Sequence, residues 1–403
     1  MKPIEWLALV FLLVICIVVA PFLWGDLLWY DEGFSRWISG GLTLQPLSLF
    51  QIPELVFANL AERHPPMFYM MTHVGSWFWG FSDFSMRLIP FFAGVLGISM
   101  MYRLAKDMTQ HAWGGLLGAF VVGASAFYLN YVHEARLYSL VFLATAMMTW
   151  GYWHLSQTPT VKRFGWAIFL GGTLLGLTTY YFFLPVVGLM GLYHLIWGRS
   201  ALRWRNILIG FVVCGVLSAP PYILFLLGDK QIILGGGLTS NANDVLRNVL
   251  AYFSNQSTRF FALIAAVGIV LMPDKQRTFI LWVGVGYLAF SMASASFTTI
   301  YSVRNFLSLW VFMGLIFVFA LIEIARFGRV GKVLAVLAVL VWGANATQYP
   351  TTYNNGRGVN RENFTAMMPI LETCALRQDE ILISFGFQQW AWLTPVYYFQ
   401  DTP

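Results

Sequence analysis

Eleven mostly apolar runs divide the chain, at residues 6–24, 88–102, 112–129, 137–155, 164–180, 182–197, 207–228, 260–272, 278–297, 305–323 and 333–347. A helix needs about 20 such residues to cross a bilayer, or a few fewer where the bilayer thins, so the shorter runs extend into their flanks. In hydrocarbon each segment has to satisfy its own backbone N–H and C=O groups, and a run of this length does so as an α-helix. Composition agrees, with 58% hydrophobic and only 10% charged residues, against roughly 25% charged in soluble chains. A soluble enzyme and a disordered chain are both excluded. The expected fold class is an all-α polytopic membrane protein with about 11 transmembrane helices, interfacial helices on the outer face and a small outer C-terminal α/β segment. Residues 1–347 form the expected transmembrane domain, with a first outer loop at 24–87, and residues 348–403 a short outer C-terminal segment. The run up to Trp24 is too long for a cleaved signal peptide and reads as a retained first span.

Charge fixes the orientation. The stretch 67–80 (MFYMMTHVGSWFWG) is a twelfth apolar candidate, but it is short, carries His73 and follows Pro65-Pro66. If it does not cross, then the N-terminus, 103–111, 156–163, 198–206, 273–277 and 324–332 share one side. Counted with its edges, that side holds thirteen Lys and Arg against the four acids Glu5, Asp107, Asp274 and Glu323, and the other side eleven against fourteen. The positive-inside rule makes the first side cytoplasmic. If 67–80 did cross, every later basic loop would move outside. It therefore reads as an interfacial or re-entrant outer element, with Trp77 and Trp79 at headgroup depth. The net charge of +6 thus reports orientation, and no nucleic-acid partner is expected.

The cytoplasmic loops are about ten residues at most, too short for a nucleotide-binding domain, and no GxxxxGK[ST] occurs. This disfavours an ATP-driven pump and a transferase using a cytosolic nucleotide-sugar. The polar mass lies outside, at 24–87, 130–136, 229–259, 298–304 and the tail. Chemistry is expected at the outer membrane face, where a lipid-borne substrate is the natural activated donor. The tail predicts a helix near 361–376 and a strand at 381–385, and the 229–259 loop, with Gly235-Gly236-Gly237, reads as a mobile connection. Cys16, Cys214 and Cys374 show no metal or disulfide spacing.

Several outward-facing residues stand out against this apolar background. Asp31-Glu32, just beyond the first span and beside Trp29 and Tyr30, suits a general base, or else is a solvated loop start. His64-Pro65-Pro66 fixes an extended entry into the 67–80 element with His64 at its start. That His could orient a carboxylate, bind a metal or do nothing. The hinge Asn130–Tyr138 packs Glu134 and Arg136 between two spans, which is costly unless they pair with each other or function. Arg suits a phosphate, and Glu or His a metal or sugar hydroxyls. Arg304, after Tyr301, and Arg87 both sit near span ends, where snorkelling is the default expectation. His154, His194 and Cys214 lie on apolar spans and read as structural.

Taken in order, an Asp-Glu after span 1, an HPP entering an interfacial helix, an EAR-x-Tyr hinge and a late Tyr-x-x-Arg resemble the membrane-embedded glycosyltransferases of the GT-C type. The likeness is to the family of protein O-mannosyltransferases and aminoarabinose lipid A transferases. It covers roughly residues 5–325, and its most specific pieces are Asp31-Glu32, His64-Pro65-Pro66 and Arg87-Leu88-Ile89-Pro90. The resemblance implies an inverting transferase that takes sugar from a polyprenyl-phosphate donor to a lipid, glycan or protein acceptor, in a bacterial or archaeal plasma membrane with its active site facing outward. By it, Asp31 is the general base and Glu32 assists. Arg136, Arg304 and Arg87 bind the donor phosphate, since charge developing there needs fixed cations. His64, Glu134, Tyr138 and Tyr301 then shape the sugar or acceptor site. A divalent metal is the one cofactor left open, because no dense Asp/His cluster is visible. The short tail departs from relatives that carry a larger outer domain. The competing readings are a lipid-linked substrate transporter or flippase, which would place ionisable groups at mid-span, and a non-catalytic assembly subunit.

Overall fold

A computed structural model describes residues 3–24, 28, 30–41, 47–58, 64–159, 163–227, 246, 249–250, 258–295, 303–346 and 373. The described residues are helical, with no strand. In chain order they form α1 (Pro3–Val19), α2 (Pro21–Trp24), α3 (Tyr30–Ile38), α4 (Gln51–Ala58), α5 (Met67–Trp79), α6 (Asp83–Thr109), α7 (Ala112–Gly123) and α8 (Ala126–Val132). Then come α9 (Tyr138–Gln157), α10 (Arg163–Thr179), α11 (Phe183–Ile196), α12 (Trp204–Leu227), α13 (Thr258–Leu271), α14 (Asp274–Ala295), α15 (Leu307–Ala325) and α16 (Gly328–Ala346). Each of the eleven apolar runs is mostly helical over its described residues. Among the described residues, Pro3–Trp24, Asp83–Thr109, Trp204–Leu224 and Arg304–Ala325 are each long and apolar enough to cross a membrane, and α7 with α8 makes a fifth candidate, bent by 72°. The helix expected near 361–376, the strand at 381–385 and nearly all of the 229–259 loop lie outside the described residues.

The bundle has an inside and a lipid-facing outside. α9 and α15 are buried along almost their whole length, whereas α1, α12 and α16 expose Leu, Val and Ile along one side. In lipid, apolar side chains gain nothing by leaving their surroundings for a helix interface, so small residues and internal hydrogen bonds hold the spans together. Thr145 of α9 donates to Ser308 of α15 at 3.0 Å. α9 and α10 meet through Gly151 and Gly172, where an added Cβ would lie 2.7 Å from backbone atoms of the other helix.

Polar contacts sort the connections into two ends. At one, Lys106 approaches Glu5 at 3.5 Å, Lys275 donates to Gln157 at 2.6 Å and Gln276 to the Met108 carbonyl at 3.3 Å. Arg203 there donates to the Leu155 and Thr158 carbonyls at 3.0 and 2.8 Å. These bonds gather the start of α1, the end of α6, the end of α9, the start of α14 and Arg203 at one end. His194 sits beside it, bonded to Tyr152 and the Trp204 carbonyl, in a structural role.

α3, α4 and α5 lie at the opposite end. The 67–80 stretch is the helix α5, ended by Gly80 at φ 70°, and its Trp77 and Phe78 are largely exposed. A capping box between Ser82 and Ser85 starts α6 immediately afterwards. The run 112–129 breaks after Gly123, and the Ser125 hydroxyl caps the new helix by accepting from the Tyr128 amide. This bend delivers residues 133–137 to the same end as α3.

The close α9–α10 crossing predicts that Gly151→Val, which must push the helices apart, lowers the melting temperature of the purified protein, at a cost of about 1–3 kcal/mol. Gly188→Ala in α11, where a Cβ meets nothing within 4 Å, should leave it unchanged or raise it. Equal melting of the two variants would contradict the packing.

Candidate functional site

Asp31 and Glu32 lie in the first turn of α3, not in a loop. Neighbours on a helix point about 100° apart, so the two carboxylates leave the helix in different directions and meet different partners.

Glu32 turns inward. Its carboxylate takes two bonds from Arg87 of α6, from Nε at 3.1 Å and Nη2 at 2.8 Å, with both side chains at most 1% exposed. The same carboxylate accepts the Ala135 amide at 2.8 Å, and Arg87 also reaches the Leu23 carbonyl at 3.4 Å. Snorkelling does not describe Arg87: it lies one turn inside α6 and points into the protein, where Glu32 compensates it. Its placement on a donor phosphate, and that of Glu32 in assisting a base, gain nothing from this geometry, because each is directed at the other.

Asp31 turns toward Arg304, with Oδ2 and Nη2 2.8 Å apart. Glu134, fully buried in the hinge between α8 and α9, approaches the same guanidinium at 3.8 Å. Arg304 lies over the Tyr138 ring, 5.4 Å from its centroid. It keeps 26% of its side chain exposed, and Asp31 keeps 17%, so this cluster, unlike the Glu32–Arg87 pair, opens to the outside. Snorkelling is therefore the wrong description of Arg304 as well.

Arg136 is buried and directed onto α3 and α5: Nη1 donates to Ser35 Oγ at 3.0 Å, with longer contacts to Tyr69 Oη at 3.4 Å and the Asp31 carbonyl at 3.5 Å. The Glu134 carboxylate meets Arg304, while the backbone amide of Arg136 donates to the Glu134 carbonyl at 2.6 Å, tightening the hinge. His64, at the start of α5, sets its ring 5.3 Å from that of Tyr180, between α10 and α11. Tyr301 lies outside the described residues.

The structure thus brings Asp31, Glu134, Arg304 and Tyr138 into direct contact. Arg136 stands behind Asp31, and Glu32–Arg87 is a buried pair beside them. Ser35 and Tyr69 were missed from the sequence. Ser35 is four residues after Asp31 and so on the same helical face, a signal hidden while 24–36 reads as loop. Among the described residues no group of three His, Cys, Asp or Glu side chains could hold a metal ion. Asp31 and Glu134 are two carboxylates around a guanidinium, a donor set that does not fit a divalent ion.

Residues 63–224 match the family described as dolichyl-phosphate-mannose-protein mannosyltransferase. ArnT from Cupriavidus metallidurans bound to undecaprenyl phosphate has a similar fold, with TM-score 0.62 at 14% identity, covering 100% of this chain and 86% of that one. The apo structure of the same ArnT gives TM-score 0.55 at 16% identity, covering 81% of this chain. This chain spans 61% of that apo chain's length. No curated protein matches the sequence significantly. The all-α fold is shared with ArnT, and the family match, over residues 63–224, falls within the stretch where the sequence resembles GT-C glycosyltransferases.

The different geometry of the two guanidiniums makes a prediction. Arg87→Gln leaves the Glu32 carboxylate buried without a counter-ion bonded through two nitrogens, at a cost of about 3–5 kcal/mol, and should lower the melting temperature more than Arg304→Gln, whose close partner Asp31 reaches solvent and whose buried partner Glu134 stands 3.8 Å away. The reverse order, measured by thermal unfolding in detergent, would refute the assignment.

Proposed function

We propose that this chain is an inverting glycosyltransferase that moves a sugar from a polyprenyl-phosphate donor to an acceptor hydroxyl at the outer membrane face. The observation that carries the reading is Arg304, held at an open end of the bundle between Asp31 and Glu134. One fixed cation beside one accessible carboxylate is what a single displacement from a phosphate-linked sugar needs.

In the reaction, the Asp31 carboxylate takes the proton of the acceptor hydroxyl as its oxygen attacks the anomeric carbon. The bond from that carbon to the phosphate oxygen breaks on the opposite face, which inverts the configuration. The donor's phosphodiester becomes a phosphomonoester and gains one negative charge, and Arg304 is the group aimed at that charge. Before a donor arrives, Asp31 and Glu134 occupy the Arg304 guanidinium. A phosphate arriving there competes with both carboxylates, so donor binding releases Asp31 for the acceptor. Arg136 supports the arrangement by fixing the Asp31 turn of α3 through Ser35 and the Asp31 carbonyl. His64 and Tyr180, with Glu134 and Tyr138, offer aromatic and polar surface for a sugar or acceptor. Tyr301 keeps the sugar or acceptor role that the family resemblance gives it. The basic end, with thirteen Lys and Arg read from its loops, faces the cytoplasm and the site faces outward.

The test is sugar transfer from synthetic polyprenyl-phosphate sugars by the full chain in lipid. Asp31→Asn should stay folded and membrane-inserted and lose about 10²–10⁴-fold in rate, the range of a general base; full activity would remove Asp31 from that role. Arg136→Ala should weaken donor use more than acceptor use, and an unchanged donor response would leave Arg136 with packing alone.

A further inference from the structure

We infer that Glu32 and Arg87 are a positioning pair for the transfer reaction, a buried clamp that sets α3 against the hinge 133–137 so that Asp31 and Glu134 converge on one guanidinium. The inference rests on the proposed function and adds two residues that touch neither sugar nor phosphate.

The geometry carries it. Asp31 and Glu134 come from segments about a hundred residues apart in sequence, and each stands on an element held by Glu32. Glu32 is the next residue after Asp31 on the same helical turn, and it accepts the amide of Ala135, the next residue after Glu134. A single carboxylate thus touches the backbone neighbour of both site carboxylates. Arg87 fixes that carboxylate with two parallel bonds, which sets its direction as well as its position. Arg87 is itself anchored on α6, which a capping box starts five residues earlier, and by the Leu23 carbonyl at the end of α2. Four segments of the site end, α2, α3, α6 and the hinge, are tied at one point. Both side chains are excluded from solvent, and among the described residues this is the most deeply buried ion pair.

Breaking such a pair should misplace Asp31 relative to Arg304, and a displacement of about 1 Å at a reacting group costs on the order of 100-fold in rate. Glu32→Gln, Arg87→Gln and the double variant of the full chain in lipid are compared for kcat and donor KM per folded molecule, and for the pH dependence of kcat. Each single variant should lose on the order of 100-fold in kcat with donor KM changed less than about threefold, and the double should be no slower than the slower single, since the two act as one unit. The form of the pH–rate profile should not change, because neither Glu32 nor Arg87 takes a proton in the reaction. A donor KM raised about tenfold or more with kcat kept would make Arg87 a phosphate ligand. Disappearance of the acid limb in Glu32→Gln would make Glu32 a base. Unchanged kcat in folded single variants would leave the pair a stability element only. Any of these three overturns the inference.

Where Arg87→Gln does not fold, Arg87→Lys keeps the charge without the two-pronged bond and should show the same kcat loss in direction. A readout that needs no turnover separates this inference from the function. Amide hydrogen exchange across 133–137, protected by the Ala135–Glu32 bond, should quicken about tenfold or more when Arg87 is replaced. Unchanged exchange overturns the clamp even if transfer is confirmed. Failure of the wild type to transfer any sugar overturns the function while leaving the exchange result to judge the clamp.

Discussion

Asp31, Glu32, Asp83 and Glu134 share one end of this bundle with Arg36, Arg87, Arg136 and Arg304, and the cost of burying any of them without a partner shapes what surrounds it. Glu32 with Arg87, Asp31 and Glu134 with Arg304, and Asp83 with Arg36 are matched across different helices. Arg136 instead spends its guanidinium on hydroxyls and a carbonyl. In a hydrocarbon surround no water compensates an error of placement, so each pair dictates how the helices that carry it must meet. Arg36 shows the same logic at lower burial, donating to the Phe81 carbonyl at 2.6 Å and approaching Asp83 at 3.4 Å. The short helix α3, which carries few apolar residues of its own, is held in place by these ties.

What the sequence made legible was what composition and solvent cost make conspicuous. The apolar runs announced the helices, because hydrocarbon permits little else. Glu134, Arg136, Arg87 and Arg304 were conspicuous because charge within such runs is costly. Partner choice was not legible. Asp31-Glu32 reads as one acidic dipeptide until α3 is known to be a helix, after which the two side chains must diverge and take different work. Arg87 and Arg304 look alike on paper, each one turn from a span end, yet one is sealed against Glu32 and the other lies open over Tyr138. The break after Gly123 was hidden as well, since an apolar run carries no sign of where its helix changes direction. Ser125, a capping residue inside that run, was the available hint.

The division of labour between neighbours follows from helix geometry. One turn of α3 supplies a carboxylate to the open cluster and another to the sealed one, and Ser35 one turn later accepts from Arg136. Exposure separates Asp31 and Arg304, which keep part of their side chains open, from the sealed Glu32–Arg87 pair. The fold shared with ArnT of Cupriavidus metallidurans persists at 14% identity, which is expected when most positions need only be apolar and of suitable size.

The bonds at the basic end give the molecule a mechanical asymmetry. Arg203 grips the Leu155, Thr158 and Pro159 carbonyls at the end of α9, the Leu202 amide reaches the Ser156 carbonyl, and Lys275 and Gln276 fasten α14 to α9 and α6. These joints act through backbone carbonyls and short connections, so they resist splaying whatever the side chains elsewhere do. The other end is joined through ionic contacts, one of which a competing anion can exchange. The two ends are thus joined by different chemistry, mainly bonds to carbonyls and an amide at one and charge pairs between helices at the other.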